Sequence, residues 1–341
     1  LRRSDLRIPL LGLALVLVAA ASVLLGRYPS PGFLDPARLF DDPLASRLVL
    51  GLRLPRIVAA LLLGAALAAA GTVFQMIFAN PLVEPGFLGV SQGAGFGAAL
   101  CIVAFTASPA AVQASAFLFA LAGLALSWAL ARAFRFGGWI LRLVLAGIAV
   151  SALFSAGIGG LKLAADPSGQ LPEITFWLLG GLWSVTWRDV LFLLPPVGLG
   201  LAVVWALRWK LNVLSLDDRV AHSLGSAPER ERLLLLVAAT LATASAVSVS
   251  GLVGWIGLMV PHAARRITGT DARRALPAGM LLGSIAVLAC DDVARTLLAA
   301  ELPLGILTSL AGAAAFAALM STAGRPGAAR AARARGAGRR A

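Results

Sequence analysis

The residue types that could do chemistry in this chain are few, and none of them converges. His222 and His262 stand 40 positions apart, with no cysteine or carboxylate at ligand spacing beside either. A transition-metal site needs a clustered set of such ligands, so a bare-metal centre is not written into the pattern. Cys101 and Cys290 lie in separate apolar runs and give neither a disulfide framework nor a thiolate cluster. A phosphate-binding P-loop requires Gly-Lys-Ser/Thr, yet the two lysines, Lys162 and Lys210, follow Leu161 and Trp209. Nucleotide hydrolysis therefore belongs elsewhere, and no nucleophile, base or metal set supports an enzyme. Asp291-Asp292 reads either as an ion site or, the expectation preferred, as a solvated helix end pairing with Arg295. Gly93-Ala94-Gly95-Phe96-Gly97 has the look of a dinucleotide loop, but no strand precedes it and close helix packing by small residues is the expected role.

The elements around these residues are those of a membrane protein. The 341 residues are 59% hydrophobic and 13% charged, with mean hydropathy +0.89, whereas soluble domains are about 25% charged. Apolar runs of roughly spanning length, about 20 residues, fall at 8–26, 57–77, 91–107, 109–131, 143–163, 189–207, 233–250, 275–290 and 304–321, with a shorter tenth element at 251–262. The first run follows Arg2, Arg3 and Arg7 like a secretory signal, but it stays apolar to Gly26 and many spans follow, so it is read as a span.

The net charge of +13 does not imply nucleic acid. With both termini placed in the cytoplasm, 21 of the 29 basic residues fall on the inner side, as the positive-inside rule requires. The expected organisation is a transmembrane domain over 1–324 and a basic, disordered cytoplasmic tail over 325–341, rich in Ala, Gly and Arg.

Ion-coupled carriers usually hold ionisable relays in mid-membrane. These spans are nearly free of charge: Gln75 is the one large polar residue deep in the second, and Ser151 and Ser155 line a face of the fifth. A channel or ion-coupled carrier acting alone is thereby disfavoured, and the energy source is expected on another subunit. The twice proline-broken segment Asn80-Pro81-Leu82-Val83-Glu84-Pro85-Gly86 sits between two highly apolar runs. Irregular backbone at such a place suits the end of a helix at a pathway or docking surface. Trp177, Trp183 and Trp187 are read as an interfacial tryptophan belt, with contact to a large planar ligand as the less favoured role.

Five spaced motifs now align in order: Arg53-Leu54-Pro55-Arg56; Gln75 with Asn80-Pro81-Leu82 and Leu88-Gly89-Val90-Ser91; Gly254-Trp255-Ile256-Gly257-Leu258-Met259-Val260-Pro261-His262 with Arg265; Asp292-Val293-Ala294-Arg295; and Glu301-Leu302-Pro303-Leu304-Gly305. Over about residues 45–320 the chain resembles the permease subunits of the iron-chelate, haem and cobalamin ABC importers (the FecCD family, type II importers). Trp255 stands where that family commonly has Phe. The resemblance implies an all-α subunit of about ten transmembrane helices, working as a homodimer in the bacterial inner membrane with its pathway along the dimer axis. Two ATPase subunits, which carry the ATP and Mg, and a periplasmic binding protein would complete the machine. No cofactor is expected in the chain itself.

Residue by residue, the resemblance assigns Arg53, Arg56 and Arg295 to receiving acidic residues of the binding protein. It assigns Leu216, Asp217, Asp218, Arg219, His222 and Gly225, on two short helices, to coupling with the ATPase. Gln75, Asn80, Leu82, Ile140 and Leu141 are expected at the gate or along the pathway. The implied cargo is a ferric siderophore, haem or cobalamin, with an iron chelate favoured; an oxyanion such as molybdate on the same fold is the alternative.

Overall fold

In a computed structural model, residues 6–28, 30–105, 108–298 and 300–323 are described. Arg2, Arg3 and the basic tail at 325–341 lie outside the described residues. The helices in chain order are α1 (Arg7–Leu24), α2 (Arg38–Asp41), α3 (Pro43–Leu48), α4 (Leu54–Ile77), α5 (Val90–Ala104), α6 (Pro109–Ala133), α7 (Trp139–Ala164), α8 (Gln170–Leu179), α9 (Trp187–Ala206), α10 (Arg208–Leu214), α11 (Asp218–Ser223), α12 (Pro228–Ser250), α13 (Ile256–Thr268), α14 (Ala272–Thr296) and α15 (Leu304–Ala323). A two-residue antiparallel ribbon, β1 (Leu25–Gly26) with β2 (Gly32–Phe33), closes the turn after α1.

Each of the ten apolar runs read from the sequence carries a helix. Seven described helical stretches are long and apolar enough to cross a membrane: α1, the α3–α4 unit, α6, α7, α9, α12 and α14. The apolar helix α5 is shorter, with 15 residues, and α13 has 13, while α15 is an apolar helix of 20 residues. The α13 element is short because the chain breaks over Gly251–Trp255, where Trp255 takes a left-handed φ of 70° that a bulky residue rarely adopts. Two features escaped periodicity. The segment around 166–181, whose glycines and prolines favour a turn, contains the ten-residue α8. At the other, α4 extends through a widened π-helical turn at Val49–Arg53 back to Pro43, making one 35-residue stretch.

The core is built around two helices. Of the most apolar window of the α3–α4 unit 78% is buried, and of α12 72%, against 6% for α1 on the periphery. Lipid tails give helices no hydrophobic reason to associate, so small residues that let backbones approach do that work. Gly64 of α4 faces Gly283 of α14 so closely that a Cβ on Gly64 would meet the Gly283 carbonyl oxygen at 2.2 Å. This contact holds the middle of α4 against the middle of α14, the two helices that carry Arg56 and Asp291 described next.

Candidate functional site

Two ends of the bundle carry the polar residues. At the rim end, where α1 and α14 finish and α4 begins, the three arginines expected to be free for a partner are each buried, with relative exposures of 9% for Arg53, 8% for Arg56 and 7% for Arg295. The Arg56 Nε donates to both carboxylate oxygens of Asp291 at 2.8 and 3.0 Å, and its Nη1 donates to both of Glu301 at 2.8 and 3.0 Å. Nη2 of Arg295 donates to Asp292 at 2.5 Å and to the backbone oxygen and hydroxyl of Ser22 at 2.6 and 2.8 Å. The Ser22 hydroxyl in turn donates to Asp292 at 2.6 Å. From the π-helical turn, Arg53 donates to the carbonyls of Val23 and Leu24. The three arginines assigned to docking are thus held by partners within the chain itself. At this depth a guanidinium without partners would be too costly, and the nearby acids satisfy it from within the chain. The same contacts correct the reading of Asp291 and Asp292: Asp291 is 1% exposed and paired with Arg56 rather than solvated, while Asp292 does pair with Arg295.

Beside this cluster lies a cavity of about 540 Å³, walled by Phe176, Trp177 and Trp183 with Gln113, Glu173 and Glu301 among its polar groups. Glu301 belongs both to the cavity wall and to the Arg56 cluster. Trp187, by contrast, donates its indole N–H to the Leu50 carbonyl at 2.8 Å.

At the opposite end, Gln75 is buried at 3% exposure and ties α4 to α13. Its Nε2 donates to the Leu258 carbonyl at 2.9 Å, and its Oε1 accepts from Nη2 of Arg265 at 2.5 Å. It acts as a bracket between the two helices. α4 ends at Ile77, two residues later Ala79 takes a left-handed φ of 48°, and Asn80 closes the following turn by accepting from the Leu82 N–H at 2.9 Å. Asn80 and Leu82 are exposed, Leu82 at 52%. Ile140 is half-buried against the core and Leu141 is exposed at 49%.

The two short helices expected at 211–225 are present as α10 and α11. Asp217 caps α11 by accepting from the Arg219 N–H at 2.9 Å, and Gly225 ends the segment at a φ of 76° that only glycine adopts without strain. Leu216, Arg219 and His222 are exposed, so this surface is left open in the single chain. Asp218 instead reaches inward to Arg232 of α12, with N–O distance 2.6 Å.

Arg232 was not singled out in the sequence, although it is 3% exposed. It also donates to the Leu214 carbonyl at 2.8 Å, and its guanidinium lies over the Trp139 ring at 5.4 Å. Trp139 packs on Phe78, one residue before the left-handed Ala79, with centroids 6.3 Å apart. A continuous set of contacts thus runs from α11 through Arg232 and Trp139 to the end of α4. The available signal was an arginine directly before the apolar run at 233–250, where a charge drawn into the bundle must be paired.

Among the described residues no group of three or more His, Cys, Asp or Glu could hold a metal ion. Comparison with known proteins supplies the frame for this geometry. The family model described as the FecCD transport family matches residues 12–322. The molybdate import system permease protein MolB of Haemophilus influenzae is 38% identical over 91% of this chain and 94% of its own length. The hemin transport system permease protein HmuU of Yersinia pestis is 41% identical over 77% of this chain and 80% of its own. A solved structure described as an inward-facing metal-chelate type ABC transporter superposes with TM-score 0.85 and 37% identity, covering 93% of this chain and 99% of that one. With this coverage, and with the all-α, multi-spanning architecture and the ordered motifs in place, the chain belongs to the FecCD transport family.

Proposed function

We propose that the chain is the membrane-spanning permease subunit of an ABC importer that moves an intact metal chelate inward: a ferric siderophore, haem or cobalamin, with an iron chelate favoured. The observation that carries this reading is the likeness, over nearly the whole of both chains, to a metal-chelate type ABC transporter at 37% identity. The scarcity of mid-membrane charge supports it, because such a chain needs an energy source outside itself. The rim end then faces outward and the α10–α11 end faces the cytoplasm, with both termini inside. Two copies of the chain, two ATPase subunits and a binding protein form the working assembly.

In this assembly the exposed Leu216, Arg219 and His222 meet the ATPase, and the Asp218–Arg232–Trp139–Phe78 contacts carry its movement to the Asn80 turn and the neighbouring Ile140 and Leu141. The docking role of Arg53, Arg56 and Arg295 takes a revised form. Because each is already satisfied internally, a carboxylate of the binding protein gains access to Arg56 by displacing Glu301, whose side chain is 37% exposed. Docking would then be an exchange of partners and not the capture of a free charge.

The likeness to a molybdate permease favours a second cargo, an oxyanion on the same fold. Purification of the tagged chain from its native membrane in mild detergent tests both readings. A co-purifying P-loop ATPase, with a binding protein that carries the absorption of haem, a ferric chelate or a corrin, supports the chelate importer. A colourless binding protein holding molybdate transfers the assignment to the oxyanion, and a chain that transports alone without ATP refutes the importer.

A further inference from the structure

Arg265, near the end of α13, differs from Arg56 and Arg295 at the rim in lacking an acid. Its Nη2 donates to Gln75, a neutral amide, and no carboxylate among the described residues lies within ion-pair distance of it. Its Nη1 is buried with no hydrogen-bond partner among the described residues. Buried donors are nearly always satisfied, and a guanidinium left without an acceptor is among the costlier exceptions. The residue forms part of the wall of a cavity of about 480 Å³, together with Gln75, Asn80, Asn212, Ser215, Thr270 and Asp271. Asp271 does not serve as the missing counter-ion. Its Oδ1 accepts from the Asn212 amide at 2.7 Å and from the Arg273 N–H at 2.9 Å, holding α10 to the start of α14.

The cavity walls join three pieces of the molecule: the turn after α4, the α10–α11 segment and the end of α13. Basic residues crowd the same stretch of chain, with Arg266, Arg273 and Arg274 following Arg265. An anionic group is what this site lacks, and Asn212 and Ser215 place its opening on the segment assigned above to the ATPase. We propose that Arg265 is the permease half of an intersubunit ion pair, accepting a carboxylate side chain of the cytoplasmic ATPase into this cavity, beside the Asn80 turn. The inference rests on the importer reading. A carboxylate entering here meets the orphaned guanidinium and the Asn80 turn together, so the approach of the ATPase would bear directly on the gate.

The test is charge exchange in the complete complex reconstituted in vesicles. Arg265→Glu should cut ATP-driven uptake by about thirtyfold or more, as truncating one side of a buried charged pair does. Arg265→Lys should retain a measurable fraction, since the charge survives. Acidic residues on the permease-facing surface of the ATPase are then changed to Arg one at a time; one of these, combined with Arg265→Glu, should recover most of the uptake that either change alone abolishes. Size-exclusion profiles of each variant separate misfolding from loss of the pair. The proposal is overturned if Arg265→Glu transports normally, if no ATPase substitution rescues it although the variant is folded, or if inorganic phosphate or anionic-lipid vesicles protect Arg265 from guanidinium-modifying reagent as well as the ATPase does. A wild-type chain that binds no ATPase would instead sink the importer reading itself.

Discussion

The two ends of the molecule handle charge in opposite ways. At the rim, Arg56 shares Asp291 and Glu301, Arg295 holds Asp292 and Ser22, and Arg53 is bound by two carbonyls. At the other end, Arg265 has a neutral partner and an orphaned nitrogen, while Arg219 and His222 are exposed. The rim is a closed staple joining α1, α4, α14 and the segment before α15. The opposite end also holds closed pairs, Arg232 with Asp218 and Lys210 with Glu231, but leaves Arg265 without an acid. On the importer reading, Arg265 and the exposed Arg219 and His222 are the residues left for another subunit.

This contrast can be broken by substitution. The largest loss of stability is expected from Arg56→Ala, which leaves Asp291 buried without its counter-ion and should cost about 3–5 kcal/mol. The double change Arg56→Met with Asp291→Leu should recover much of that loss, because no deeply buried charge is left unpaired and Glu301, 37% exposed, can be hydrated instead. Thermal unfolding of the detergent-solubilised chain reads both, and equal losses in the two would show that the pair is not the source. Gly64→Val should cost about 1–3 kcal/mol by driving a side chain into the Gly283 carbonyl. A wild-type thermal midpoint for that variant would mean that α4 and α14 are not held by this contact.

Glu301→Gln sharpens the comparison at intermediate size. Its partly exposed pair should be worth only about 0.2–1 kcal/mol, so stability changes little. On the partner-exchange reading, affinity for the binding protein should rise because the internal competitor for Arg56 is weaker. Unchanged or lower affinity would remove the exchange. At the open end Arg219→Glu should alter stability by no more than about 0.5 kcal/mol and yet detach the ATPase in a co-purification assay. A stable, fully coupled variant would show that α11 is not the contact.

The smallest effect concerns pH. The N–H of Arg273, and then the Asn212 amide, hold the Asp271 carboxyl below the usual aspartate range. Its contribution is therefore present at neutral pH and is lost as the pH falls below about 3.9, the ordinary aspartate value. The Asp271→Ala variant should lack that acid-dependent part of the unfolding curve.

Much of this architecture was legible in the sequence because apolar length is a local signal. The runs at 109–131 and 233–250 reappear within a few residues as α6 and α12. Asp217 and Gly225 marked the limits of α11 through the local chemistry of caps. What was hidden depends on contacts between distant parts of the chain. Arg56 finds Asp291 and Glu301 across 235 and 245 residues, and Gln75 meets Arg265 across 190. No periodicity reports such pairs. The rim arginines thus looked like exposed interfacial charges until their acids were seen beside them. Three carboxylates in the short stretch Asp291 to Glu301, next to Arg295 and at the end of an apolar run, were the available warning.

The most direct measurement is uptake of a labelled ferric chelate into vesicles that contain this chain, its co-purifying ATPase and the loaded binding protein. The account predicts accumulation that requires ATP, stops when either partner is omitted and does not respond to a proton or sodium gradient. Accumulation by the chain alone, driven by an ion gradient and indifferent to ATP, would contradict it.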